Sequence, residues 1–334
     1  MINLKILFLA DGSQKIGMGH IYRSLNLANE LKNKNKISFL TREKLSYKIF
    51  NKKYKTFFVK KEDRSKENFL IRKINPDLII VDKLKERNDT LKNISKICKN
   101  ILLIDYTKKN VQKDFHGITM LYPETGFSTQ KNNNLKYAII NRNFSKNRIS
   151  KINKNVKKII ILQGGSDTHC FTPKIIDSFN KVDVNFEITV VLGGSFNCWK
   201  KLNTSIKNSN QKIKILNNVS TLAPIFKKFD LAVTAGGMTL LELACVGLPC
   251  LIICGEKFEE ETANLLEKNN FGKNLGFGEK ISSRKIAENL ELISKNFKQR
   301  QKMNLNGQKI VDGKGITRVT DLIDSYTFKD SSKF

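Results

Sequence analysis

Ten residues near the N-terminus combine the types a reaction site needs: Asp11-Gly-Ser-Gln-Lys-Ile-Gly17-Met-Gly19-His20. They follow the apolar run Ile6-Leu7-Phe8-Leu9, which reads as a buried strand. They precede Ile21, Leu25, Ala28 and Leu31, which repeat at helical spacing. The pattern is a strand, a glycine-rich turn, and a helix with a histidine at its start. Turns of this kind, at the carboxyl edge of a parallel sheet, are where α/β proteins place ligands. Glycine removes side chains, so backbone N–H groups and a ligand can approach one another. A histidine at a helix start, held neutral, can accept a proton near pH 7. Asp11, Ser13, Gly17, Gly19 and Arg23 are expected to shape this loop around a substrate. Arg23 could equally form a structural ion pair.

Three glycine loops in the second half suit a different task. Gln163-Gly164-Gly165-Ser166-Asp167 and Gly193-Gly194-Ser195 each follow an apolar run. Ala235-Gly236-Gly237-Met238-Thr239 follows Leu231-Ala232-Val233-Thr234 and opens a helix. Free N–H groups at Gly236, Gly237 and Met238, with Ser166 and the positive end of the helix, would hold a diphosphate without a metal. Glu242, one turn into that helix, has the reach to accept hydrogen bonds from two ribose hydroxyls. The plainer reading of each loop is close strand–helix packing, which also needs glycine. No G-x-G-x-x-G stands at a strand-to-helix turn and no G-x-x-x-x-G-K-[ST] occurs, which argues against a dehydrogenase or a P-loop enzyme. No Asp-x-Asp motif is placed to hold a divalent ion, and neither a metal nor a cofactor is expected.

The elements that must position these loops alternate. In the first half strands are expected near 4–10, 36–41, 55–60, 77–82, 100–104 and 117–121, and helices near 20–33, 43–51, 64–74 and 86–97. In the second half strands are expected near 158–162, 186–192, 212–216, 230–234 and 249–254. Helices are expected there near 171–181, 220–228, 238–246 and 258–269, with three more near 281–296, 298–311 and 315–325. Strand–helix alternation implies a parallel sheet covered on both faces. The fold class is α/β, with two doubly wound Rossmann-like domains facing a cleft. Residues 1–143 would carry the reacting end, 157–312 the nucleotide, and 313–327 a closing helix near the domain junction. A linker is expected at 142–156, where the apolar rhythm lapses. Asp82 and Asp105 end strands and read as helix-cap or loop carboxylates, with the cleft as the alternative. His116 reads as a turn residue, His169 as structural, and Trp199 as packing at a helix start.

The chain has 334 residues, 40% of them hydrophobic, enough for two cores. Met1-Ile-Asn-Leu-Lys leads straight into a strand, unlike a signal peptide, and no apolar stretch reaches membrane-spanning length. A cytoplasmic protein is expected. Cys98, Cys170, Cys198, Cys245, Cys250 and Cys254 are scattered, several within apolar runs, and read as reduced and mostly buried. The formal net charge is +29, but the lysines are spread along the chain without aromatic interleaving. That argues against dedicated nucleic-acid binding and leaves a weak association with an anionic membrane surface open.

Several of these segments resemble one family. Asp11-Gly-Ser-x-x-Ile-Gly-x-Gly-His20-x-x-Arg23-x-Leu25-x-Leu27-Ala28 is similar to the opening of the UDP-sugar hydrolases of pseudaminic acid biosynthesis and their spore-coat polysaccharide relatives. Tyr137 to Phe144, Gly164-Gly165-Ser166-Asp167, Ala235-Gly236-Gly237 through Glu242, Gly247-Leu248-Pro249 and Asp312-Gly313-x-Gly315-x-x-Arg318-Val319 resemble further segments of it. The resemblance implies the GT-B fold and hydrolysis of a UDP-diacetamido-trideoxy sugar. It matches His20 to the histidine acting at the anomeric carbon and Glu242 to the glutamate holding the ribose, and so implies that a water activated by His20 attacks that carbon while UDP departs from the opposite face and the configuration inverts. Where that family carries Asn-Gln, this chain reads Gly255-Glu-Lys-Phe-Glu-Glu-Glu-Thr262. The alternatives are a GT-B glycosyltransferase with an acceptor other than water and a non-catalytic nucleotide-sugar-binding protein.

Overall fold

A computed structural model describes residues 3–13, 17–83, 88–104, 118–121, 135–217, 219 and 221–330. Asp105 and His116 lie outside these residues. The chain divides into two compact units, one of residues 1–139 with 314–334, the other of residues 140–313.

The first unit runs β1 (Lys5–Ala10), α1 (Gly19–Leu31), β2 (Lys36–Thr41), α2 (Lys44–Phe50), β3 (Lys55–Phe58), α3 (Arg64–Ile74), β4 (Leu78–Asp82), α4 (Asn88–Ser95), β5 (Ile101–Ile104) and β6 (Ile118–Leu121). Its sheet has the order β3-β2-β1-β4-β5-β6, and every pair is parallel. The side chains of β1 alternate between two cores, as the period of a strand requires. Ile6, Phe8 and Ala10 pack with Ile21, Leu27 and Ala28 of α1, whereas Leu7 and Leu9 pack with Ile71, Ile79 and Val81. Phe8, Phe39 and Phe50 stack in series, with ring centroids 4.9 and 4.2 Å apart.

The second unit runs α5 (Arg142–Lys146), β7 (Lys158–Leu162), α6 (Phe171–Phe179), β8 (Glu187–Leu192), α7 (Trp199–Lys207), β9 (Lys212–Asn217), α8 (Ala223–Phe226), β10 (Leu231–Thr234), α9 (Met238–Val246), β11 (Cys250–Cys254), α10 (Glu259–Lys268), β12 (Lys273–Phe277), α11 (Ser283–Lys295) and α12 (Phe297–Ile310). The sheet order is β12-β11-β10-β7-β8-β9, again all parallel. Numbered from its own first strand, this is the order of the first sheet. Helix α13 (Gly315–Asp330) then returns to the first unit, where Ile316, Val319 and Ile323 join the face packed on α1.

Three features depart from the sequence reading. Strand β12, Lys-Asn-Leu-Gly-Phe, has too few apolar residues to announce itself, and pairing with β11 forms it. Residues 142–156, read as a linker, contain α5, and Arg148 there donates to the Gln308 and Val311 carbonyls at 2.9 and 3.3 Å. Cys170 and Cys198, read as reduced, form a disulfide with Cα atoms 5.8 Å apart. They lie 28 residues apart in sequence, but at the helix starts after adjacent strands β7 and β8, and the topology brings them together. Cys98, Cys245, Cys250 and Cys254 are free and buried.

Candidate active site

Each sheet reverses its winding once, between β1 and β4 in the first unit and between β7 and β10 in the second. In doubly wound folds the loops on either side of such a reversal diverge and leave room for a ligand. Of the four glycine-rich segments singled out from the sequence, the one after β1 stands at the first point and those after β7 and β10 at the second, whereas Gly193-Gly194 follows the neighbouring β8.

In the first unit the β1–β4 register sets Ala10 beside Asp82. Met18 is the N-cap of α1 and Gly19 its first residue, so His20 lies in the first turn. There His20 Nδ1 lies 2.7 Å from Asp82 Oδ1, with both residues buried. Arg23, fully buried, donates through Nη2 to Oδ1 at 2.6 Å and through Nε to Oδ2 at 3.0 Å. The Ser24 hydroxyl donates to Oδ2 at 3.0 Å. Burial opposes a charge on Asp82, but Arg23 and His20 outweigh it and hold the carboxyl well below its ordinary value. An ionised Asp82 only accepts, so the closer contact at Nδ1 favours the neutral tautomer with its proton there and the lone pair on Nε2, while Arg23 Nη2 lies 3.1 Å from the same Nδ1.

Asp11 is spent on its own loop. Its Oδ1 accepts from Thr41 Oγ1 at 2.8 Å and from the Arg42 amide at 2.7 Å, and its Oδ2 lies 3.2 Å from the buried Lys83 Nζ. Burial works against ionisation here too, yet Lys83 and the donors at Arg42 and Thr41 leave the carboxyl below its ordinary value. Gly17, at φ +92°, donates its amide to the Ser13 carbonyl at 2.8 Å and closes the loop. The sequence offered no sign of Lys83. The pairing of Asp82 with His20 was equally hidden, because it joins residues 62 positions apart through the sheet register.

In the second unit the loops after β7, β8, β10 and β11 gather at one sheet edge. Gly164 has φ +75°. A Cβ at Gly193 would overlap the Gly165 carbonyl oxygen, and the Ser195 amide donates to that same oxygen at 3.2 Å. Ser166 Oγ lies 3.0 Å from Thr168 Oγ1, and Asp167 caps α6 by accepting from the Phe171 and Thr172 amides at 2.8 Å each. His169 spans Glu256 and Glu279 at 3.2 and 3.4 Å and stacks on Phe171. Trp199 begins α7 and meets Phe196 edge-on. Gly237 is the N-cap of α9 and Met238 its first residue, and the cap residue has no side chain to bond the first amides. The Gly236 amide differs from the sequence reading: it is directed at the Glu259 carboxylate.

Glu242 occupies the second turn of α9. Burial pushes its carboxyl up to about 8. A neutral carboxyl can donate one hydrogen bond and accept another, which matches a vicinal diol. The raised value has a sign for stability. Between the ordinary 4.5 and about 8 the folded chain keeps a proton that the unfolded chain releases, so stability falls as pH rises through this window. Glu242→Gln is therefore expected to melt with wild type near pH 4 and above it at pH 9. The gain is at most about 1.4 kcal/mol for each pH unit crossed within the window. Melting curves across that range check it, and parallel wild-type and variant curves would refute it.

The geometry has counterparts among known proteins. Residues 148–315 match the model of the glycosyltransferase family 28 C-terminal domain. Over 97% of this chain and 100% of the other, the structure is similar to that of Acinetobacter baumannii MurG, with TM-score 0.68 at 14% identity. It is similar over 98% of both chains to CalG4, the calicheamicin glycosyltransferase, with TM-score 0.65 at 13% identity. The fold is GT-B. The chain belongs to the family defined by the glycosyltransferase family 28 C-terminal domain. Among curated relatives, the spore coat polysaccharide biosynthesis protein SpsG of Bacillus subtilis is 26% identical, over 94% of this chain and 96% of its own. The uncharacterized protein MJ1062 of Methanocaldococcus jannaschii is 32% identical over 77% of this chain, which spans only 57% of that relative. Among the described residues no helix is long and apolar enough to cross a membrane.

Proposed function

We propose that the protein transfers a sugar from a nucleoside diphosphate donor, with UDP as the nucleotide, in the assembly of a surface polysaccharide or glycan. The observation that supports this is the buried His20–Asp82 pair, in which a carboxylate accepting from Nδ1 leaves Nε2 to act as the base. In this reading Nε2 takes the proton from an acceptor hydroxyl. The hydroxyl oxygen bonds to the anomeric carbon, the bond from that carbon to the diphosphate oxygen breaks, and UDP leaves with the electron pair. The configuration inverts. Gly164, Gly165, Ser166, Gly193, Gly237 and Met238 line the diphosphate and Glu242 holds the ribose, so negative charge growing on the leaving group meets preorganised N–H donors. Gly17, Gly19 and Asp11 serve by holding the His20 loop in shape, and Arg23 by holding Asp82. The family match and the fold support transfer over hydrolysis. A formal net charge of +29 suits an acceptor presented at an anionic membrane surface.

Hydrolysis of a UDP-diacetamido-trideoxy sugar, with water as acceptor, is the second reading. It is favoured by the opening motif Asp11–Arg23 and by the resemblance that motif carries. Incubation with UDP-sugars in the absence of any acceptor separates the two, since only a hydrolase then releases stoichiometric UDP. His20→Asn tests both. Turnover is expected to fall about 10²–10⁴-fold with the affinity for UDP unchanged. A folded variant with undiminished turnover would sink the assignment.

A further inference from the structure

The Gly236–Gly237 turn already has an anion on it, supplied by the chain. Glu259 is the first residue of α10. Its Oε2 accepts from the Gly255 amide at 2.7 Å and the Glu256 amide at 3.3 Å. The Gly236 amide faces the same carboxylate and favours its charge. The glycines make room for it. A Cβ at Gly236 would stand 2.7 Å from Glu259 Cβ, and one at Gly237 would stand 3.2 Å from Oε1. A carboxylate on backbone amides beside the start of α9 occupies the place where a phosphate oxygen would bind.

The arrangement is not one that α10 needs for itself. Its first turn also carries Glu260 and Glu261, which serve the positive end of the helix. Among the described residues no cation holds Glu259 in place. Burial above all, with the neighbouring Glu256, holds its carboxyl above the ordinary value even though the amides favour the charge. A carboxylate held by amides, with another carboxylate close by, is one that a more highly charged group can replace.

We propose that Glu259 is an internal competitor for the donor's diphosphate: its carboxylate keeps the Gly236 amide until a phosphate oxygen takes that amide over. The inference rests on the nucleotide-site reading above. Glu259 then acts as a specificity-determining residue. A neutral group gains nothing by displacing a carboxylate from an amide, whereas a diphosphate does, so ligands lacking the diphosphate are refused that contact. Relieving the competition should tighten binding of the diphosphate and leave binding of the nucleoside alone unchanged.

The test is calorimetric titration of wild type, Glu259→Gln and Glu259→Asp with UDP and with uridine. Glu259→Gln keeps the shape and removes the charge, and is expected to bind UDP about tenfold more tightly, the difference between a charged and a neutral acceptor on the same donors. Its affinity for uridine should equal that of wild type. Glu259→Asp withdraws the charge by one methylene and should give a smaller gain of the same sign, which keeps the test available if the glutamine variant does not fold. Wild type that binds UDP beside folded variants that bind it equally or more weakly would overturn the competition while leaving the nucleotide site standing. Equal tightening for UDP and uridine would also overturn it, since the effect would not run through the phosphates. Failure of every protein to bind UDP at millimolar concentration would remove both this proposal and the reading beneath it.

Discussion

Replacing Asp82 with asparagine is expected to lower turnover about 10²–10⁴-fold and to cost about 3–5 kcal/mol of stability. The two effects have one origin. Both carboxylate oxygens are in use, Oδ1 by His20 and Arg23 and Oδ2 by Arg23 and Ser24. A carboxamide has only one oxygen. If its NH₂ faces Arg23 Nε and Ser24, donors oppose donors beside a fully buried guanidinium. If its NH₂ faces His20, Nδ1 must become the acceptor, the ring proton moves to Nε2, and the base is lost. Ser24→Ala is the control. It removes one donor, costs about 1 kcal/mol, and should leave turnover intact. Chemical denaturation measures the first quantity and sugar transfer from the donor the second. An Asp82→Asn protein as active as wild type would detach Asp82 from the chemistry, and with it the tautomer argument for His20.

Gly193→Ala is expected to have the next largest effect. The added methyl would overlap the carbonyl oxygen of Gly165, which is backbone and cannot rotate away. The loops after β7 and β8 must then separate, breaking the contact from the Ser195 amide to Gly165. Overpacking of this kind costs about 1–3 kcal/mol. UDP affinity should drop at least about tenfold, because Gly164 and Gly165 move with their loop. The instructive comparison is Gly164→Ala. That residue has φ +75° but open space around it, so an alanine meets only the intrinsic cost of the left-handed backbone, about 1 kcal/mol. Thermal denaturation and UDP titration of both variants separate lack of room from backbone strain. Equal losses in the two would refute the close-approach argument.

These cases show why parts of the site could be read from the chain and others could not. His20 and the glycine pairs stand in strand–turn–helix segments whose meaning is local, and the alternation of such segments carries the doubly wound architecture with it. Asp82 is visible as a carboxylate ending a strand, but nothing near it says whether it caps a helix or faces His20. That depends on β4 lying beside β1, which is a property of the sheet order. Cys170 and Cys198 meet for the same reason. Glu259 was obscured differently. In sequence it is one of three consecutive glutamates at a helix start, where acidic residues are ordinary, and only the β10–β11 neighbourhood turns it toward Gly236. Strand β12 exists because a partner edge was available rather than through its own composition.

The return of α13 to the first unit has a consequence for synthesis. Ile316, Val319 and Ile323 complete a core that begins with Ile6 and Phe8, and nearly the whole length of the chain separates the two ends of that core. During translation the sheet of the first unit emerges early with α1 on this face, but the part that α13 covers stays open while the entire second unit is made. The second unit, residues 140–313, is continuous and can fold as soon as it leaves the ribosome. The half of the protein that carries His20 is thus the first to be synthesised and the last to be finished. Until α13 arrives, that open face is where a nascent chain of this protein is exposed to aggregation and to chaperones.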